Sequence, residues 1–300
     1  MNPLVTVIIP AYRYPQFLNA ALRSVTAQTY SPIEIIIVDD ASGEEYMRQY
    51  ELPANARLIV HEINRATASI SRNEALAASH GEFVTFLDQD DLFAPEKIAR
   101  QVATLQSDPA ALLTYCHYQR VAEDLTPLPK QDRPQAVQNN PVRQMLLRNI
   151  VHCPAQVMVR RSAFDKIGLF DEAIRGAADY DMWLRAAMGG RVLGDPTSLV
   201  HYRHHSGQWH KQGVMICRGT VRVLEKAVVW AQRERPELAG LARRRMGRWL
   251  RELAREQLLS NNEKQQAFAT LRQSLLLRPW DMQAYRYLWP AWRASRTVGF

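Results

Sequence analysis

Several protein classes are excluded by what this sequence lacks. Its three cysteines, Cys116, Cys153 and Cys217, are odd in number and have no CxxC spacing, so neither a disulfide framework nor a paired-cysteine zinc site is suggested. No uncharged apolar run approaches the ~18 residues that a membrane-spanning helix needs. The N-terminal Met-Asn-Pro-Leu-Val-Thr-Val-Ile-Ile-Pro passes straight into a strand pattern, without the basic region and apolar core of a signal peptide, and the expected location is cytoplasmic. No Gly-x-Gly-x-x-Gly follows that first strand and no Gly-x-x-x-x-Gly-Lys occurs, which removes support for a dinucleotide fold or a P-loop enzyme. A nucleotide bound here would need its phosphates neutralised by a metal instead.

What is present is material for a full core and an uneven charge. At 300 residues and 47% hydrophobic, the chain suits one domain of about 200 residues plus an appendage. Residues 1–206 carry 20 Lys and Arg against 23 Asp and Glu, a balance of −3, whereas residues 207–300 carry 18 against 7, a balance of +11. We divide the chain there, into a domain over 1–206 and a basic helical C-terminal region over 207–300. An acidic body joined to a basic appendage suggests chemistry in the first and docking on something anionic in the second.

Residues 4–9 are a continuous, largely β-branched run stopped by Pro10, and Pro15 opens a helix with Phe17, Ala21, Leu22 and Val25 at helical spacing. Residues 33–38, 57–60 and 83–87 read as further strands and 66–79 as an Ala-rich helix. Past Pro95 come a helix with Ile98, Val102 and Leu105, strands over 112–118 and 154–159, an exposed loop over 126–141, and a short helix from Ser162 to Gly168. Strands alternating with helices predict an α/β, doubly wound and mostly parallel sheet, whose ligands bind at the carboxyl ends of the strands.

Acids gather at those ends. Asp39 and Asp40 follow the second strand, and only one of two neighbours can face a crevice. Asp88, Asp90 and Asp91 follow the strand at 83–87, where alternation puts Asp88 and Asp90 on one side. Two carboxylates there repel and are costly to desolvate, which a hard divalent cation such as Mg²⁺ or Mn²⁺ would relieve; turn and cap roles before the next helix also suit Asp. Asp179 and Asp181 stand near the start of a helix whose apolar face begins at Trp183. Residues two apart on a helix diverge by about 200°, so one at most acts in a cleft, and both also suit the helix dipole.

These stretches together resemble the family-2 glycosyltransferases with a GT-A fold. The resemblance covers roughly residues 4–206. It is carried by Val5-Thr6-Val7-Ile8-Ile9-Pro10-Ala11-Tyr12, Val38-Asp39-Asp40-Ala41-Ser42, Ser71-Arg72-Asn73-Glu74-Ala75, Phe86-Leu87-Asp88-Gln89-Asp90-Asp91, Gly168-Leu169-Phe170-Asp171-Glu172 and Asp179-Tyr180-Asp181-Met182-Trp183-Leu184-Arg185. It implies a sugar transferred with inversion from a nucleotide-diphosphate donor, of UDP type, to a hydroxyl of a glycan or lipid-linked acceptor in cell-surface polysaccharide synthesis. By the same resemblance, Asp40 reads the donor base with Pro10 and Tyr12 lining its pocket, Arg72 contacts the nucleotide and Asp88 its ribose. Asp90 holds the Mg²⁺ or Mn²⁺ that bridges the diphosphate, His205 of Tyr202-Arg203-His204-His205 approaches the same place, and Asp179 is the general base. The chain departs from the family pattern at Ala178, where relatives carry Glu, and at Asn64-Arg65-Ala66, where many carry glycine at the third position. A sugar-1-phosphate nucleotidyltransferase would share the sheet and the acids but needs a Gly-rich basic loop, and Ala11-Tyr12-Arg13-Tyr14 is not one. A nucleotide-sugar-binding or scaffold protein with a weak site is the remaining alternative.

In the C-terminal region, helical patterns fill residues 214–230 and 238–259. The second aligns Arg243, Arg244, Arg245, Arg248, Arg251 and Arg255 beside an apolar stripe of Met246, Trp249, Leu250, Leu253 and Leu258. Such a helix either lies on an anionic membrane surface, giving peripheral contact at the inner membrane, or packs its stripe on its own domain with the arginines in water. No nucleic-acid partner is expected.

Overall fold

The computed structural model describes residues 2–129, 140–205, 213–260 and 263–296. The chain forms two compact units, the first from Met1–Val142, Ile150–Glu172 and Met182–Gly207, the second from Arg143–Asn149, Ala173–Asp181 and Gln208–Phe300. The second unit thus takes two segments from ahead of residue 206 as well as the basic region. Most of the loop expected over 126–141 lies outside the described residues.

In chain order the elements are β1 (Val5–Ala11), α1 (Pro15–Thr26), β2 (Ile33–Asp39), α2 (Glu44–Met47), β3 (Ala56–Val60), α3 (Ala68–Ala78), β4 (Phe83–Phe86), β5 (Leu92–Phe93), α4 (Lys97–Ser107), β6 (Ala111–Val121) and α5 (Pro141–Leu147). Then follow β7 (Val157–Arg160), α6 (Ala163–Ile167), α7 (Ala178–Gly189), β8 (Arg191–Arg203), α8 (Gly213–Glu234), α9 (Pro236–Leu259), α10 (Ala267–Leu277), α11 (Met282–Tyr285) and α12 (Leu288–Ser295).

The strands form one eight-stranded sheet in the order β3-β2-β1-β4-β7-β6-β8-β5. Its β3-β2-β1-β4 half is parallel, as the buried β-branched runs predict. β7 enters antiparallel between β4 and β6, β8 pairs parallel with β6, and β5 pairs antiparallel with β8. Pro10 does not end β1, contrary to expectation, because Pro10 pairs in register with Val38 of β2. The Ile8 carbonyl accepts from Leu87 on the β4 side, and Pro10, two residues on, faces the same side where β4 has already stopped. Its missing N–H is therefore not needed. The segment expected as a strand over 154–159 begins as a 3₁₀ turn at Pro154–Gln156 before β7. Gly168, at φ 73°, ends α6 as its sequence position suggests.

The core of the first unit lies under the parallel half, with Val5, Val7 and Ile9 of β1 against Leu18, Leu22 and Val25 of α1. Beside it stands a fully buried lysine, Lys97, whose Nζ donates to Thr85 Oγ1 and lies 3.9 Å from the Phe93 ring centroid. In the second unit, Leu250 and Leu253 of α9 pack with Cys217 and Val221 of α8, while Ala254 of α9 packs with Leu271 of α10. The apolar stripe of α9 is thus turned inward. Arg251 is buried with it and donates to both carboxylate oxygens of Asp281 at 2.8 Å, whereas Arg243, Arg244, Arg248 and Arg255 are exposed.

Candidate functional site

The parallel half of the sheet brings three chain segments to one edge. β1 ends beside β2 with Ala11 opposite Asp39, and beside β4 with Ile8 opposite Phe86, so Tyr12, Asp40 and Asp88 all follow the carboxyl ends of adjacent strands. Arg13, Tyr14 and Ala41 sit in these connections at φ 57°, 52° and 64°, left-handed backbone that ordinary side chains reach at a cost and that concentrates at ligand sites. Gln89 ties two of the segments: Tyr12 N–H donates to its Oε1 at 2.9 Å and its Nε2 donates to Tyr12 O at 3.0 Å.

The two adjacent acids after β2 divide the work that one crevice position allows. Asp39 is fully buried, and its carboxylate accepts from Ser42 N–H (2.8 Å), Ser42 Oγ (2.6 Å) and Tyr50 OH (2.6 Å), which folds the following loop. Asp40 faces the other way. Its Oδ1 meets His61 Nδ1 at 2.7 Å and accepts from Arg65 N–H at 2.8 Å, while Oδ2 accepts from Ala66 N–H at 3.1 Å. His61 is itself spanned, with Nε2 2.6 Å from Glu74 Oε2. Only an imidazolium can donate to both carboxylates. Burial works against that charge, but the bonds to Asp40 and Glu74 outweigh it and raise the His61 pKa. Ala66, the residue standing where many relatives carry glycine, lies at φ 53°, the left-handed conformation that glycine adopts freely.

Asp88, Asp90 and Asp91 do not continue the strand, which ends at Phe86; they lie in a turn closed by Asp91 N–H donating to Asp88 O at 3.0 Å, and it is this turn that sends them to different partners. Asp91 turns into the core, where burial first, and then Asp90 and Asp88, push its pKa well up; its Oδ1 accepts from Arg203 N–H and its Oδ2 has no partner. Asp88 accepts from Arg72 Nη2 at 2.5 Å. Burial raises the Asp88 pKa, Arg72 opposes this and Asp90 adds to it. Arg72 is buried, lies 5.5 Å from the Phe170 ring centroid and has an unpartnered Nε. Asn73, next on α3, holds the loop after α6 by bonding Phe170 N–H, Phe170 O and Glu172. Asp90 Oδ2 lies 3.0 Å from His205 Nε2, with the imidazole packed on Phe17 at 4.7 Å between centroids.

Asp90 Oδ2 and His205 Nε2, 3.0 Å apart, form a hydrogen-bonded pair, and the same spacing would suit two cis ligands about 2.1 Å from an octahedral divalent centre. Among the described residues there is no group of three or more His, Cys, Asp or Glu placed to hold a metal. The chain would therefore supply two ligands and leave the others to phosphate oxygens and water, a normal arrangement for Mg²⁺. Asp179 and Asp181, in the first turn of α7, belong to the second unit. There Asp181 is buried and paired with Lys226 at 2.6 Å, while Asp179 is half-buried.

Sequence reasoning thus named Pro10, Tyr12, Asp40, Arg72, Asp88, Asp90 and His205, all of which stand on or beside this edge of the first unit. It assigned nothing to His61 or Gln89. His61 could have been found, since it follows β3 as Asp40 follows β2.

A mixed, mostly parallel sheet with this acidic edge defines the GT-A class of fold. Residues 6–168 match the family model described as "Glycosyl transferase family 2", and the chain belongs to that family. An uncharacterized glycosyltransferase of Rickettsia typhi is 29% identical over 69% of this chain and 66% of its own length, so the chain spans just under two thirds of that relative. A putative teichuronic acid biosynthesis glycosyltransferase of Bacillus subtilis is 30% identical over 67% of this chain and 79% of its own. In fold, the chain resembles S. aureus TarS 1–349 in complex with UDP-GlcNAc (TM-score 0.58, 17% identity, 99% of this chain and 93% of that one). It also resembles a mannosyltransferase from Pyrobaculum calidifontis in complex with GDP-Man and Mn²⁺ (TM-score 0.62, 20% identity, 98% and 87%).

Proposed function

We propose that this chain is an inverting glycosyltransferase that moves a sugar from a nucleotide-diphosphate donor, of UDP type, to a hydroxyl of a glycan or lipid-linked acceptor in cell-surface polysaccharide synthesis. The observation that carries the reading is the gathering of Asp40, the Arg72–Asp88 pair and the Asp90–His205 pair at the carboxyl ends of neighbouring parallel strands. The bound nucleotide sugars of the two fold neighbours and the name of the Bacillus relative support it.

Each group has a role in this reading. Asp40, clamped by His61, accepts an N–H from the donor base, with Pro10 and Tyr12 beside it. Arg72 holds Asp88 against the ribose and adds positive charge near the phosphates. Asp90 and His205 would hold Mg²⁺ or Mn²⁺, which when bound would supply positive charge against the departing diphosphate. Asp179 takes the proton of the acceptor hydroxyl as its oxygen forms the new bond to the anomeric carbon and the bond to the diphosphate breaks. A single displacement inverts that carbon. Asp181, committed to Lys226, is the poorer base.

The test is a panel of nucleotide sugars assayed for hydrolysis with Mg²⁺, Mn²⁺ or chelator. Hydrolysis of one UDP-sugar that chelator stops supports the reading. Nucleotide binding without turnover of any sugar, with or without metal, favours the scaffold alternative instead.

A further inference from the structure

Among the described residues, the basic region carries most of its large exposed apolar side chains outside α9, the helix where the arginines are densest. α9 buries its stripe, so that helix has no apolar face to offer. The segment from the last turn of α10 to α12 behaves oppositely: Leu276, Trp280, Met282 and Trp289 are 83%, 63%, 74% and 64% exposed. Leaving large apolar side chains in water is unfavourable, and a concentration of them within fourteen residues (276–289) marks a surface that meets something. Local structure holds the group in place. Tyr285 OH donates to the Pro279 carbonyl at 2.7 Å, next to Trp280, and Trp289 stacks on Trp292 at 5.0 Å between centroids.

Along this segment the charges have one sign apart from Asp281; outside it, Glu252 of α9 pairs with the same Arg251 that holds Asp281. Between Lys264 and Arg296 the sequence has six basic residues and a single acid, Asp281, and that acid is buried against Arg251. Arg286 and Arg293 are exposed, Arg293 one helical turn beyond Trp289. Tryptophan with arginine, and no exposed acid, is the combination that suits an anionic bilayer surface: the indole sits among headgroups and the guanidinium pairs with lipid phosphate. We propose that this face of the second unit, from Leu276 to Arg293, docks on an anionic phospholipid bilayer, with Trp280, Met282 and Trp289 entering the interface. The contact is peripheral; among the described residues no helix is long and apolar enough to cross a membrane. The inference stands on this surface alone and does not depend on the transferase reading.

The test uses the full chain in flotation with vesicles of phosphatidylcholine alone or with phosphatidylglycerol added, at low and high salt. Binding is expected only to the anionic vesicles, weakening as salt rises, with a blue shift of tryptophan fluorescence. Trp280→Ala with Trp289→Ala should remove the blue shift and most binding. Arg286→Gln with Arg293→Gln should lower binding by roughly thirtyfold, since each basic residue near such a surface contributes about 1 kcal/mol. Both variants should keep the parent's circular dichroism and donor-nucleotide affinity, which separates loss of docking from loss of fold. No binding of the parent to anionic vesicles at low salt, or unchanged binding of both variants, overturns the proposal. Concentration-dependent self-association that the tryptophan variant abolishes, without vesicle binding, would overturn it in favour of a second copy of the chain.

Discussion

Replacing Lys97 with methionine removes a charge-bearing group from a fully buried site lined by Thr85 and Phe93. Lys97 is fully buried, bonded to Thr85 Oγ1 and set over Phe93, and burial lowers its pKa from 10.5 to about 7. In the unfolded chain the amine returns to its ordinary value, so between pH 7 and about 10.5 the unfolded state binds one more proton than the folded one. Stability therefore rises with pH across that window, by up to about 1.4 kcal/mol per pH unit, and is lost again as pH falls towards 7. The gap between about 7 and 10.5 corresponds to roughly 5 kcal/mol in total. Lys97→Met keeps the length of the side chain and removes this linkage. The variant should be the more stable protein at pH 7, with its advantage shrinking by about 2–3 kcal/mol on going to pH 9. Cys116 and Cys153 are present in both proteins, so their titration cancels to first order. The assay is equilibrium unfolding in urea at several pH values, read by a short pulse of hydrogen exchange in peptides covering β4 and α4. A stability difference that does not change between pH 7 and 9 would refute the reasoning, because it would mean that the amine is equally charged in the folded and unfolded chains.

Asp90→Ala should abolish the dependence of donor-nucleotide binding on Mg²⁺ or Mn²⁺, and calorimetry in which the parent binds equally well with chelator would remove the metal from the account. Asp179→Asn should keep donor affinity while transfer falls on the order of 10²-fold or more; a rate near the parent's would place the base elsewhere, Asp181 being the next candidate. His61→Gln should weaken donor binding by up to about tenfold with little change in turnover of bound donor, because a charge-assisted bond to Asp40 is replaced by a neutral one. Since the His61 pKa is raised, the parent's donor affinity should persist above pH 6.5 and fall as pH climbs through the raised value, a dependence that titrations of the glutamine variant should lack. Ala66→Gly should raise stability by about 0.5–1 kcal/mol in urea unfolding, unless the residue's left-handed φ of 53° costs nothing, in which case the variant will be no more stable than the parent.

The strands with their acidic ends, and so the class of fold, were legible in the sequence because both are local. A β-branched run buried on both faces and cut off by Asp-Asp or Asp-Gln-Asp reads as strand followed by site without any partner being known. Alternation did not separate Asp91 from Asp88 and Asp90, because the strand ends at Phe86 and a turn closed by Asp91 N–H to Asp88 O does so instead. Tertiary structure decided everything that needed a partner. Asp39 and Asp40 are equivalent to a local reading; Ser42 and Tyr50 claim the first, while His61, 21 residues on from Asp40, and Glu74, 13 further, leave the second at the edge. β7 reads as one more strand, and only its neighbours β4 and β6 make it antiparallel. β8 escaped notice because its register with β6 jumps from Cys116 opposite Asp195 to His117 opposite Ser198, so no clean alternation survives around Pro196. The arginine helix is the plainest case. Its period is the same whether the stripe meets lipid or protein, and it was the presence of α8 and α10 that turned Leu250 and Leu253 inward and drew Arg251 to Asp281. Amphipathicity states that a face must be covered; the rest of the chain states by what.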